Sequence, residues 1–283
     1  MKNICASCIG LSVNKVIKTN NEKKPKWLEK FDYVEQFIEK NNNQKIKIKR
    51  QANVDTTLTL DVGKNKANRY ILYWGASKAK DGQVMIHDAK KAYGNFKNHG
   101  ISKVNKNGLV KLYFNCPQAY STVEKGKKNR ETFYKHIHFC YSNANCDRWL
   151  DTVYTKIIVC KHTLNETLKK HKKGSVVLIN ALPCEYYQKS HIPNSFNIPY
   201  NRISKISQRD LFEWVKEVVK LNYPKLNKLL QQRKLNVYEL PIIVYCAHEK
   251  CDASEKLATG LLKKGFVNIS EFPGGMKEFL NAK

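Results

Sequence analysis

The distribution of apolar and polar positions changes character twice along the chain. Residues 26–40 place Trp27, Phe31, Val34, Phe37 and Ile38 at helical spacing, which predicts one amphipathic helix ended by Asn41, Asn42 and Asn43. From about residue 45 to 161 the pattern becomes short alternating runs. Residues 57–62, 69–74, 108–114, 136–140 and 153–160 read as strands, separated by turn signals such as Asp81-Gly82 and Asn107-Gly108. One helical piece near Asp88 to Tyr93 interrupts them. This stretch predicts an antiparallel, β-sandwich-like unit. After His162 the period changes again. The continuous apolar runs 175–180 and 242–245 have the composition of strands buried on both faces. Helical patterns over 164–171, 211–219, 254–264 and 276–280 alternate with them and with a strand over 267–271. Strand and helix in alternation predict an α/β unit with a parallel sheet. The expected organisation is an α+β chain of two domains: an N-terminal segment with its helix (1–44), the β unit (45–161) and the α/β unit (162–283).

Charge changes this picture little. The 283 residues hold 51 Lys and Arg against 24 Asp and Glu, a formal net charge of +27. Such a balance points first to a nucleic-acid partner. Only seven of the basic residues are arginine, however, and the lysines are spread throughout alongside abundant asparagine. Bidentate phosphate or base recognition would favour Arg, and no nucleic-acid-binding motif is present. The charge is read as compositional, of the kind AT-rich coding DNA produces, with non-specific polyanion binding as its consequence. No run approaches a membrane span and no signal peptide stands out. The nine cysteines are odd in number and scattered, which predicts mostly free thiols and an intracellular, cytoplasmic location. Cys5 and Cys8 have redox or half-site spacing but lack a flanking strand and helix, so they read as an ordinary N-terminal segment.

The most informative stretch is the apolar run 242–245 leading into Cys246, a polar loop and an amphipathic helix. A thiol at a strand-to-helix turn faces backbone N–H groups and a helix N-terminus, a field that favours the thiolate. Loop residues Ala247, His248, Glu249, Lys250, Cys251 and Asp252 surround this candidate nucleophile, with His248 and Lys250 adding positive charge and Cys251 spaced to resolve an oxidised or persulfidated Cys246 as a disulfide.

Residues 177–199 contain His191-Ile-Pro-Asn-Ser-Phe-Asn-Ile-Pro199. With Val244-Tyr-Cys246, Gly265-Phe-Val-Asn-Ile and Phe272-Pro-Gly-Gly-Met-Lys-Glu-Phe279, this block resembles the rhodanese family over roughly residues 162–283. The resemblance implies sulfur transfer: Cys246 takes sulfane sulfur from a donor as a persulfide and passes it to a thiol acceptor, with no cofactor required. His191 reads as a structural residue of its corner. Three departures stand out. Asn180 and Leu182 replace the usual acid and arginine after the first strand, the catalytic loop looks about two residues longer than the common form, and it lacks a closing arginine. Asp252 stands where a phosphatase of the Cys-x5-Arg type needs that arginine, which excludes phosphatase chemistry and disfavours dianionic thiosulfate. In the sulfur-transfer reading the β unit recruits or orients a protein partner; the competing reading is a non-catalytic two-domain interaction protein, including one packaged in a virion.

In the β unit, His136, His138 and Cys140 fall on one face of a strand by the period of two. With Tyr120 and Cys116 on a neighbouring strand, they form a candidate site for Fe, Cu or Zn. The stretch 107–140 resembles the iron site of intradiol dioxygenases, which pair two tyrosines with a His-x-His on a β-sandwich; the second tyrosine has no evident counterpart in the sequence. The third reading is therefore a metal-dependent redox protein.

Overall fold

A computed structural model describes residues 3–4, 16–18, 34–40, 46–48, 53–80, 82–123 and 129–282. In the N-terminal region these form β1 (Thr56–Asp61), β2 (Tyr70–Gly75), α1 (Ala89–Tyr93), β3 (His99–Lys103), β4 (Leu109–Phe114), β5 (Tyr120–Val123), β6 (Arg130–Phe133), β7 (His136–Tyr141) and β8 (Tyr154–Ile157). An antiparallel sheet runs in the order Ile17–Lys18, β8, β7, β2, β3. β1 and β4 pair as a separate antiparallel ribbon. Leu60, Leu112 and Phe114 of that ribbon share a core with Ile71, Tyr73, Ile137 and Phe139, one face of β2 and β7. The opposite face turns Leu72, Trp74 and Cys140 toward Ala92 and Tyr93 of α1. Asp88 starts this short helix by accepting the Lys91 N–H.

The helix expected over residues 26–40 does not hold in the part that is described; residues 26–33 lie outside it, as do Cys5 and Cys8. Val34–Phe37 is a single 3-10 turn, and Ile38–Lys40 pairs antiparallel with Ile46–Ile48. Backbone pairing of 38–40 with 46–48 takes the place of the helical stripe that five apolar positions alone suggested.

The C-terminal region begins at β9 (Cys160–Lys161) and continues through α2 (Leu164–Lys172), β10 (Val177–Asn180), α3 (Cys184–Lys189), β11 (Phe196–Asn197), α4 (Gln208–Asn222), α5 (Pro224–Gln231), β12 (Ile242–Tyr245), α6 (Ala253–Lys263), β13 (Ile269–Phe272) and α7 (Gly275–Asn281). All strand pairs are parallel, in the order β9, β13, β12, β10, β11. The central strands are buried throughout, as their unbroken apolar runs require. Thr163 and Glu166 close a capping box on α2. α3 and α5 lie where the sequence marked no element.

Three contacts tie the regions together. The Tyr134 hydroxyl donates to the Leu262 carbonyl at 2.8 Å, Lys135 Nζ donates to Ser270 Oγ at 2.9 Å, and a disulfide joins Cys116 to Cys160. The disulfide corrects the expectation for these two residues and removes Cys116 as a metal ligand. Cys146, Cys184, Cys246 and Cys251 are free. The bridge closes a loop spanning 44 residues, which restricts the unfolded chain. Cys160→Ser is expected to cost about 2–4 kcal/mol, read as a lower denaturant midpoint than the oxidised wild type; equal midpoints would show that the bridge contributes nothing.

Candidate active site

Cys246 ends the central strand β12. From β10 the chain leaves toward β11, and from β12 toward β13, so the connections diverge between these neighbours. The carboxyl edge at such a switch point is where open parallel sheets place ligands. Six residues, 247–252, separate the thiol from α6, which begins at Ala253. α7 fixes the start of this loop: the Met276 and Lys277 N–H groups donate to the Cys246 and Ala247 carbonyls, each at 2.9 Å. Gly275 permits that approach. Its φ is +58°, and a Cβ there would lie 2.4 Å from the Cys246 oxygen. The Gly274-Gly275 pair of the sequence motif is thus a close-approach device.

The sulfur's surroundings differ from the expected anion cradle. Cys246 is fully buried. Ser254 Oγ lies 3.2 Å from Sγ and donates to Glu271 Oε1 at 2.6 Å. A serine hydroxyl has one proton, and with that proton committed to Glu271 it faces the sulfur as an acceptor only. The Cys251 carbonyl (3.3 Å) and the His248 carbonyl (3.7 Å) also accept from the thiol. Burial pushes the Cys246 pKa up, and the adjacent Cys251 side chain adds to the rise; Ser254 opposes it, through its backbone N–H and through its hydroxyl to the extent that the hydroxyl proton turns from Glu271 to the sulfur. His248, Glu249 and Lys250 are exposed and take no part in this shift. Asp252 is exposed and pairs with Lys256 at 2.7 Å. The expected depression of the thiol pKa is therefore corrected: desolvation, with the Cys251 side chain, outweighs the hydrogen bonds from Ser254. Of the predicted loop residues, only Cys251 and the His248 backbone reach the sulfur. Ser254 and Glu271, which surround it most closely, carried no sequence signal beyond lying in the flanking helix and strand.

His191 accepts no catalytic position. It stacks on Tyr187 at 4.1 Å and its Nδ1 bonds the Tyr187 carbonyl. Its neighbours in the motif are held by the buried Tyr245 hydroxyl, which bonds Ile192 N and Ser195 Oγ.

In the β unit, His136 and His138 are buried with their Nε2 atoms 3.0 Å apart. The Tyr93 hydroxyl lies 3.1 Å from the first and 2.9 Å from the second, and the Tyr120 hydroxyl lies 3.4 Å from that of Tyr93. His136 Nδ1 faces the Tyr134 carbonyl at 2.6 Å, so the proton of the neutral ring sits there and Nε2 presents its lone pair. His138 Nδ1 bonds Thr155 Oγ1 at 2.8 Å. Cys140 is not brought into this group: among the described residues no three His, Cys, Asp or Glu side chains are arranged to hold a metal. Two positions further along β7, Cys140 packs in the apolar core. Tyr93, on α1, occupies the place the sequence left without a candidate.

Residues 163–282 match the family model described as Rhodanese-like domain, and this part of the chain is a rhodanese-like domain. Among solved structures, a Bacillus halodurans protein is 22% identical, with 44% of this chain and 72% of that chain covered and a TM-score of 0.31. A human single-domain sulfurtransferase is 14% identical over 44% of this chain and 99% of its own, with a TM-score of 0.32. SseA from Escherichia coli, described with the 3-mercaptopyruvate sulfotransferases, is 15% identical over 41% of this chain and 42% of its own, with a TM-score of 0.27. No curated protein matches the chain. Among the described residues no helix is long and apolar enough to cross a membrane.

Replacing Glu271 with Gln gives Ser254 a neighbour that can donate, which frees the serine proton to turn toward the sulfur. Glu271→Gln is expected to lower the Cys246 pKa and to speed iodoacetamide alkylation of Cys246 roughly tenfold near neutral pH. Peptide mass mapping reads the site. An unchanged pH–rate profile would mean that Glu271 does not set the thiol's protonation.

Proposed function

We propose that the rhodanese-like domain carries sulfane sulfur as a persulfide on Cys246 and that its loop rests closed. The observation that carries this reading is the position of Cys246 at the carboxyl end of the central strand, at the switch point and beneath residues 247–252. The thiol first loses its proton. The thiolate attacks the outer sulfur of a persulfide donor, the donor's S–S bond breaks, and the donor thiolate leaves with the electron pair. An acceptor thiolate then attacks the terminal sulfur and releases Cys246 as thiolate. Asp252 and the absent arginines favour a donor of low charge over dianionic thiosulfate. Because burial raises the thiol's pKa, persulfide formation is expected to be slow at neutral pH and to rise steadily into the alkaline range. Intact mass after treatment with a low-molecular-weight persulfide is expected to show one added sulfur on wild type and none on Cys246→Ser. A wild type that gains no sulfur at any pH would leave a non-catalytic recognition module, the alternative that the closed loop also suits.

A second reading rests on the His136, His138, Tyr93 and Tyr120 cluster in the β unit, whose boundary with the rhodanese-like domain we place near residue 161. Two ligands held about 2.1 Å from one metal at right angles are about 3.0 Å apart, close to the separations among Tyr93, His136 and His138. The Nδ1 partners of both histidines match the outer bonds that orient metal-bound imidazoles. When bound, a ferric or cupric ion would supply Lewis-acid or one-electron chemistry; the tyrosines would hold it as phenolates and the imidazoles as neutral ligands. Protein expressed in iron-supplemented medium is expected to contain one metal per chain and to show a visible phenolate charge-transfer band that Tyr93→Phe shifts and His138→Ala removes. Metal-free protein with no such band after reconstitution would refute this reading.

A further inference from the structure

A cavity of about 470 Å³ lies between the two regions, at the amino-terminal edge of the parallel sheet, opposite the end that carries Cys246. That volume is within the range of small-molecule sites. Much of its wall is apolar, including Met85, Val176, Leu226 and Ile243. Lysines contribute to the wall as well: Lys78, Lys80, Lys135, Lys170, Lys225 and Lys228, of which Lys78 pairs with Asp55 and Lys225 donates to the Lys173 carbonyl at 3.2 Å. The acid among the lining residues is Glu239, which is engaged in the capping box of Asn236. An apolar cavity ringed by ammonium groups suits a small organic anion.

Lys135 differs from the others. It is buried, it lines the cavity, and its Nζ is held against Ser270 Oγ at 2.9 Å. The backbone that presents it is fixed on both sides, because the Lys135 carbonyl accepts from Ile158 N and the preceding Tyr134 is tied to Leu262. A desolvated primary amine in a largely apolar cavity is a nucleophile toward carbonyl carbon. We infer that the interdomain cavity binds a small 2-oxo acid, with the carboxylate directed to the surrounding lysines and Lys135 condensing with the keto carbon as an imine.

The condensation balances without an oxidant or reductant. The amine nitrogen adds to the carbonyl carbon, and the carbonyl oxygen then leaves as water with the two amine protons while the C=N bond forms. The neighbouring His162 is pushed down to about 4, chiefly by burial, and so faces this region as a neutral imidazole. This inference is independent of the chemistry at Cys246.

The test uses the full chain, pyruvate as probe, and sodium cyanoborohydride to reduce any imine to a stable secondary amine. Intact mass is expected to show one adduct per chain at low pyruvate, and peptide mapping to place it on Lys135 at least tenfold more often than on any other lysine. Urea-unfolded protein is expected to lose that preference, and folded Lys135→Met to lose the single adduct. Adducts scattered over surface lysines in the folded wild type would overturn the proposal, and this outcome can be read without any variant. So would an adduct yield in folded Lys135→Met equal to that of wild type.

Discussion

The burial of Lys135 against Ser270 is the contact on which the arrangement of the molecule depends. Taking an amine out of water is tolerable only when its proton can leave or a partner accepts its hydrogen bonds, and here both occur. The contact sits where neighbouring residues are sent to different sites, by the bend before β7 on one side and by the alternation of β13 on the other. Tyr134 and Lys135 reach the C-terminal region, while His136, the next residue, turns into the aromatic and imidazole cluster of the β unit. On the other side, Ser270 of β13 meets Lys135, and the adjacent Glu271 points through the opposite face of the parallel sheet to Ser254 and Cys246. Two pairs of neighbouring residues thus connect three chemically distinct places. A register slip of one residue in β13 would exchange Ser270 and Glu271.

The same alternation explains why the thiol is quiet. Glu271 stands on the α6 side of β13 because Ser270 and Phe272 occupy the other side. A carboxylate so placed draws the Ser254 proton away from Cys246. The carbonyls of His248 and Cys251 are turned inward by the tight turn in which Cys251 N bonds the His248 oxygen. Meanwhile α7 draws the Cys246 and Ala247 carbonyls toward its own first N–H groups. The loop's backbone dipoles are therefore divided between the helix start and the sulfur, in a sense that favours S–H over S⁻. Rhodanese-like architecture and an activated thiolate are separable properties, and here the architecture is present while the resting electrostatics oppose activation.

Local pattern carried much of the fold. The unbroken apolar runs at 175–180 and 242–245 could satisfy their backbones only in a sheet covered on both faces, and the strands at β1, β2, β4, β7 and β8 followed from alternation. The amphipathic stripe at 26–40 misled because a few apolar positions at helical spacing do not exclude a hairpin, and in the described part the backbone pairs as one. Cys246 and the two histidines were legible because each lies within a recognisable local context. Tyr93, Ser254, Glu271 and Lys135 were not. Their roles arise from contacts with residues 17 to 135 positions away, and no local spacing encodes such a meeting. The Cys116–Cys160 bridge was hidden for the same reason, since nine scattered thiols permit many pairings.

The distribution of cations sharpens this contrast. Forty-four lysines give the chain its charge, and most are solvated, where position matters little. Only where the two regions close on each other does a lysine acquire chemistry, because the fold changes its medium rather than its neighbours in sequence. Overall charge predicted a partner for the surface. Burial of a single amine instead directs attention to the seam between the regions, where the disulfide, the Tyr134 hydroxyl and Lys135 hold a cavity shaped by both. A site of that kind exists only while the two regions are joined, so its chemistry belongs to neither sequence half alone.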